Sequence, residues 1–141
     1  MKILVAVNED DYSKELIKTG ATLSSQFRSE LYIVYVYEVP LALPLDSDSP
    51  EEIEKGDRIL DFASGIADEA GISAQTDIIQ ARTVGAGIVN EARDLGVDLL
   101  IIGMKKYPGH GENIISRTVD YVMKKTPCRV MLMRRGESDG E

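Results

Sequence analysis

Lys2-Ile3-Leu4-Val5-Ala6-Val7, followed at once by Asn8-Glu9-Asp10-Asp11, decides how the rest of the chain is read. The first six positions show no alternation of apolar and polar side chains. A short continuous run of Ile, Leu and Val suits a strand covered on both faces, as in a parallel sheet. Asn8 to Asp11 supply turn and cap chemistry, and Asp10 or Asp11 is the expected helix N-cap. From Ser13 the period becomes helical: Leu16, Gly20, Leu23 and Phe27 fall on one stripe, with Ile17 and Ala21 beside it. A parallel strand reaches its neighbour only through a crossover, so the same alternation is expected downstream.

It recurs. Leu31 to Tyr37 reads as a second strand. Glu38 to Ser49 is long for a strand-to-helix connection and suggests a flap or binding loop. Its Leu41, Ala42, Leu43 and Leu45 either form an exposed apolar patch or fold down onto the core. Ser49-Pro50-Glu51-Glu52 has Ser at N-cap, Pro at N1 and Glu at N3, the pattern of a reciprocal capping box. The helix it opens carries an apolar stripe through Ile53, Gly56, Leu60, Ala63 and Ala67, with Gly71 as its left-handed stop. Ala74 to Gln80 is the third strand, Gly85 to Leu95 a short helix stopped by Gly96, and Asp98 to Gly103 the fourth strand. Asn113 to Lys125 is expected as the last helix, with Lys124 and Lys125 at its negative end. Arg129 to Met133 is the fifth strand.

The order is β-α-β-α-β-α-β-α-β, which predicts one α/β domain: a five-stranded parallel sheet with helices on both faces. The 141 residues fit one such domain, expected over 1–135 with a polar tail at 136–141. Ligands in sheets of this kind sit beyond the carboxyl ends of strands, where strand order reverses, so the turns after strands one, two and four form the candidate site.

A formal net charge of −8 argues against nucleic acid and against a polybasic membrane surface. No stretch approaches the roughly 18 apolar residues of a membrane span, which predicts a soluble, cytoplasmic protein without membrane insertion. One cysteine, Cys128, and one histidine, His110, exclude an internal disulfide and a cysteine-rich zinc site. His110-Gly111-Glu112 with Pro127-Cys128 brushes against a zinc-deaminase pattern, but Met131 stands where its second cysteine belongs. Cys128 is expected to be a small packing residue. No Ser-His-Asp set is fixed by spacing. GxxxxGK[ST] is absent, and Gly85-Ala86-Gly87 lacks the third glycine of a dinucleotide fingerprint and precedes the wrong helix.

The turn running from Gly103 through Met104, Lys105, Lys106 and Gly109-His110-Gly111 to Asn113 joins a strand to a helix start. Two readings stand: a phosphate cradle built from glycine backbone, helix amides and the charges of Lys105, Lys106 and Arg117, or an ordinary loop whose glycines make turns.

Three stretches carry a resemblance: ILVAVNEDDYS at the start, VGAGIVNEARDLGVDLLIIGM in the middle and SRTVDYVMKKTPCRVMLM near the end. Together they are similar to the universal stress protein family over nearly the whole chain. The resemblance implies sheet order 3-2-1-4-5 and a homodimer joined through the last strand, Arg129 to Met133, which would cover an exposed edge. Many members bind ATP through G, two residues, G, nine residues, then G and S or T. Ungapped placement puts these on Gly103, Lys106, Ser116 and Arg117, and only Gly103 agrees. Thr118 supplies a hydroxyl one residue late. Asn8 stands where the family often has Asp, and Val36 where the family's backbone meets the base.

Side chains at Lys106 and Ser116 intrude where the family leaves bare backbone for phosphate, while Lys106 and Arg117 add compensating charge. The expected ligand site is therefore Asn8, Val36, Gly103, Met104, Lys106, Ser116, Arg117 and Thr118, with no metal and no catalytic residue. The resemblance, with these departures, implies a non-catalytic, dimeric regulatory or binding module without tight ATP binding. The alternative is a member that binds ATP or another adenine nucleotide, with at most slow hydrolysis.

Overall fold

The computed structural model describes residues 1–9, 12–104 and 116–136. Five strands and four helices alternate: β1 (Lys2–Val7), α1 (Ser13–Phe27), β2 (Glu30–Glu38), α2 (Pro50–Glu69), β3 (Gln75–Ala81), α3 (Val84–Leu95), β4 (Leu99–Met104), α4 (Arg117–Lys125) and β5 (Arg129–Arg134). The sheet is parallel throughout, in the order β3-β2-β1-β4-β5.

Because successive side chains of a strand point to opposite faces, the unbroken apolar runs feed two cores. Ile3, Val5, Leu31, Ile33, Tyr35 and Ile101 pack beneath α1 and α2. Leu4, Val34, Val36, Leu100 and Ile102 pack beneath α3 and α4, against Ile88, Val89, Val119 and Val122. The helices are bounded as their chemistry dictates. Ser49 accepts at Oγ from the Glu52 amide at 3.4 Å, and Pro50 follows it at the first helical position. Gly71 and Gly96 stop α2 and α3 at φ +77° and +68°, where an L side chain would be strained.

Several expectations need correction. α4 begins at Arg117 with Ser116 as N-cap, later than Asn113. Its short cap sequence has no acid at N3 to advertise it. Tyr12, not an aspartate, occupies the N-cap position of α1 and offers no side-chain cap; Asp10 and Asp11 lie outside the described residues. Phe27 is 59% exposed despite its place on the stripe, since α1 ends there at the left-handed Arg28. Glu52 does not close a reciprocal capping box. Its carboxylate instead accepts from the Tyr35 hydroxyl at 3.3 Å.

The long β2–α2 connection is ordered by neighbours. Two turns close at Leu43 N–H to the Pro40 carbonyl and Ser47 N–H to the Pro44 carbonyl, both 3.0 Å. Arg82 donates to the carbonyls of Val39, Pro40 and Leu43 at 3.3, 2.7 and 2.8 Å. Gln80 donates to the Tyr37 hydroxyl at 2.6 Å and to the Ser47 carbonyl. Leu41, Leu43 and Leu45 project into solvent from this scaffold, and Leu41 is 87% exposed. Of the two readings of that segment, the exposed one is found.

Candidate functional site

Strand order reverses at β1, which has β2 on one side and β4 on the other. The ladders there are unequal. β1 pairs with β2 along its whole length, Lys2 with Glu30 to Val7 with Tyr35. Its register with β4 covers only Ile3 with Leu99 to Val5 with Ile101, whereas β4 stays paired with β5 out to Met104 and Arg134. Beyond Val5 and Ile101 the ladder between the two central strands ends, and the carboxyl edge past it is where the topology places a ligand crevice. β2 runs three residues past the end of β1, so Val36 to Glu38 form a raised wall beside it.

The expected site residues gather unevenly at this crevice. Asn8 leaves β1 as an exposed residue, fixed by Ser13: its amide donates to Ser13 Oγ at 3.1 Å, and that hydroxyl lies 3.3 Å from the Asn8 carbonyl. Gly103 and Met104 end β4 and are half-buried. A Cβ on Gly103 would stand 3.2 Å from Leu16 Cδ1 and 3.7 Å from Tyr12 Cδ2, so the bare backbone lets the start of α1 close over the end of β4. Arg135 holds its guanidinium 5.2 Å from the Tyr12 ring centre, adding a cation from the β5 side that no local pattern marks. Val36 turns its side chain away from the edge, into the core under α3. Only its backbone is left to meet a ligand.

Ser116, Arg117 and Thr118 open α4. Ser116 Oγ accepts from the Val119 amide at 3.1 Å, and its carbonyl accepts from Asp120 at 2.9 Å. The amides of Arg117 and Thr118 meet no partner among the described residues. Lys106, with Lys105 and His110, lies outside the described residues. Among the described residues no three His, Cys, Asp or Glu side chains gather closely enough to hold a metal ion.

On the α1/α2 side of the same edge lies a polar cluster that periodicity alone does not reveal. Lys55 bridges Glu9 at 3.0 Å and approaches Glu52 at 3.9 Å. Its hydrogen bond to Glu9 holds the ammonium's pKa above the ordinary lysine value. Burial, and then the charge of Glu52, push the Tyr35 hydroxyl up as well, so it stays a proton donor. The two glycines of the discarded dinucleotide pattern are packing positions: a Cβ on Gly85 would crowd Tyr121 and one on Gly87 would strike Val36. Cys128 is half-buried beside Thr126 Oγ1 at 3.3 Å and packs against the α3/α4 core. No helix among the described residues is long and apolar enough to cross a membrane.

Comparison with known proteins fits this architecture. Universal stress protein MJ0531 of Methanocaldococcus jannaschii is 22% identical over 144 residues, covering 98% of this chain and 84% of that protein. A universal stress protein of Archaeoglobus fulgidus, solved in complex with dAMP, superposes with a TM-score of 0.74 at 18% identity, over 94% of this chain and 96% of that one. A universal stress protein family member of Arabidopsis thaliana, solved with AMP bound, superposes with a TM-score of 0.69 at 19% identity, over 99% and 94%. The model of the Universal stress protein family matches residues 1–134. With nearly its whole length matched and the strand order that the resemblance implied, the chain belongs to the Universal stress protein family.

Proposed function

We propose that this protein is a non-catalytic, cytoplasmic regulatory module that pairs through β5 and whose crevice accepts an adenine nucleotide with one phosphate in preference to ATP. The observation that carries the reading is the start of α4. Ser116 spends its hydroxyl on the Val119 amide, and its side chain stands where the family pattern has glycine. Two amides remain there, those of Arg117 and Thr118, at the positive end of a helix dipole. Two amides and the Arg117 guanidinium match one phosphate group better than a chain of three. The dAMP and AMP complexes of proteins with this fold support a ligand of that size. The non-catalytic part of the reading rests on the sequence, where spacing fixes no Ser-His-Asp set. A lone cysteine also suits a reducing compartment.

Titration calorimetry with AMP, cyclic AMP, ADP and ATP tests the ligand. AMP is expected to bind, ATP to bind no tighter than AMP, and Arg117→Ala to weaken AMP about tenfold, the loss of one charged contact. ATP binding at least tenfold tighter than AMP, or phosphate release that disappears in Arg117→Ala, would overturn the proposal.

Pairing rests on β5. It is an edge strand whose Val130, Met131, Leu132 and Met133 are only half-buried within one chain. An unpaired apolar edge invites a second copy. Sedimentation equilibrium is expected to give about twice the 15.5 kDa chain mass. A single-chain mass at high protein concentration would rule the pairing out.

A further inference from the structure

We propose a second binding site, between α1 and α2, for a small organic anion: an apolar or aromatic body bearing one carboxylate, sulfonate or phosphate. An open groove of about 510 Å³ separates these helices, a size within the range of small-molecule sites. Its apolar surface comes from Ile17, Ile59 and Phe62. Phe62 is 61% exposed, a large aromatic ring left uncovered beside a groove. Its cations are Lys14, Lys55 and Arg58, against Glu9 as the one acidic residue of the lining. Glu9 and Glu52 stand against Lys55, and Glu54 against Arg58, so among the described residues the uncompensated positive charge of the groove is that of Lys14, a foothold for an anion on a chain of net charge −8.

The three cations are not equally occupied. Lys55 is engaged by Glu9 at 3.0 Å. Arg58 meets Glu54 at 3.3 Å, in a pair that is two-thirds or more exposed on both sides and therefore easily exchanged. Lys14 meets no acidic partner among the described residues. One anionic group held between Lys14 and Arg58 would leave the ligand's apolar body to cover Phe62 and Ile59. The exposed leucines of the β2–α2 connection are a poorer home for such a molecule, because Asp46 and Asp48 flank them. The groove lies over the core beneath α1 and α2 and reaches the carboxyl edge at Asn8 and Ser13, while the crevice amides belong to α4, which covers the opposite face. Its cations and its aromatic ring belong to α1 and α2 alone, so the site adjoins the crevice at Asn8 without using α4.

Anilinonaphthalene sulfonate is a direct probe, and phenylnaphthylamine is the same body without the charge. In amide NMR titrations of the full chain, the sulfonate is expected to shift Ser13, Lys14, Ile17, Ile59 and Phe62. Lys14→Gln with Arg58→Gln should weaken the sulfonate about tenfold and leave the uncharged analogue unaffected. Phe62→Ser should weaken both. These positions are exposed, so the variants retain the fold. The proposal fails if the sulfonate binds the double variant as tightly as the parent, or if Leu41→Ser abolishes its binding.

Discussion

Ile101→Ala is expected to lower the unfolding free energy by about 2–5 kcal/mol, the cost of a large cavity in a core that cannot collapse. Ile101 is 0% exposed in β4, registered between Val5 and Met131 and packed in the core beneath α1 and α2. Gly20 presses its backbone close to the same place: a Cβ there would stand 2.7 Å from Val5 and 3.7 Å from Ile101. Strands paired on both sides cannot move inward to fill the space. Denaturant unfolding followed by circular dichroism should show the midpoint falling with an unchanged slope. Thermal unfolding should drop by roughly 6–15 °C for a domain of this size. A loss under about 1 kcal/mol would contradict the packing described. The Ile101→Val variant removes one methylene and should cost about 0.5–1.5 kcal/mol.

Gly87→Val is the second large effect, and it acts by excess volume. A Cβ on Gly87 would lie 2.6 Å from Val36 Cγ1 and 3.0 Å from Ala81 Cβ. Neither neighbour can yield cheaply. Val36 is β-branched and stiff in its strand, and the Ala81 Cβ is fixed to the main chain. Forcing α3 away from β2 should cost about 1–3 kcal/mol. Gly65, in the middle of α2, provides the contrast: nothing lies within 4 Å of a Cβ there, so Gly65→Ala should stabilise by up to about 1 kcal/mol through helix propensity. Opposite signs at two helical glycines, measured by the same unfolding experiment, are the expected result. A neutral Gly87→Val would mean that α3 does not approach β2 as closely as described. Because Val36 belongs to the crevice wall, Gly87→Val should also weaken AMP.

What the sequence disclosed and what it hid divide along physical lines. β1 was legible to the residue, because a strand covered on both faces has no polar position to blur its ends. Ser49 and Pro50 announced α2 through local hydrogen-bond chemistry that needs no tertiary partner. The start of α4 was misplaced because Ser116 caps without an acid at N3, and Ile115 continues the apolar pattern upstream. Local spacing marks Glu52 as a capping acid. A hydroxyl from β2, distant in sequence, turned it elsewhere.

The site was legible as a location and less so as a surface. Its place followed from the alternation of strands and helices, and Gly103, Ser116 and Arg117 were marked by the family pattern. The end of the β1–β4 ladder after three paired positions left no local trace, since both strands stay apolar beyond it. Arg135 over Tyr12 and the groove between α1 and α2 depend on distances between elements, which no periodicity encodes.

Arg82 has a consequence for how this molecule can diverge. One side chain at the end of β3 serves three carbonyls of a segment some forty positions earlier in the chain. The posture of Leu41, Leu43 and Leu45 is thus governed from outside their own stretch of sequence. A single codon change at position 82 would turn a rigid ledge of leucines into a slack tether without touching a leucine, so lineages could gain or lose whatever that ledge grips while the sheet beneath stays the same.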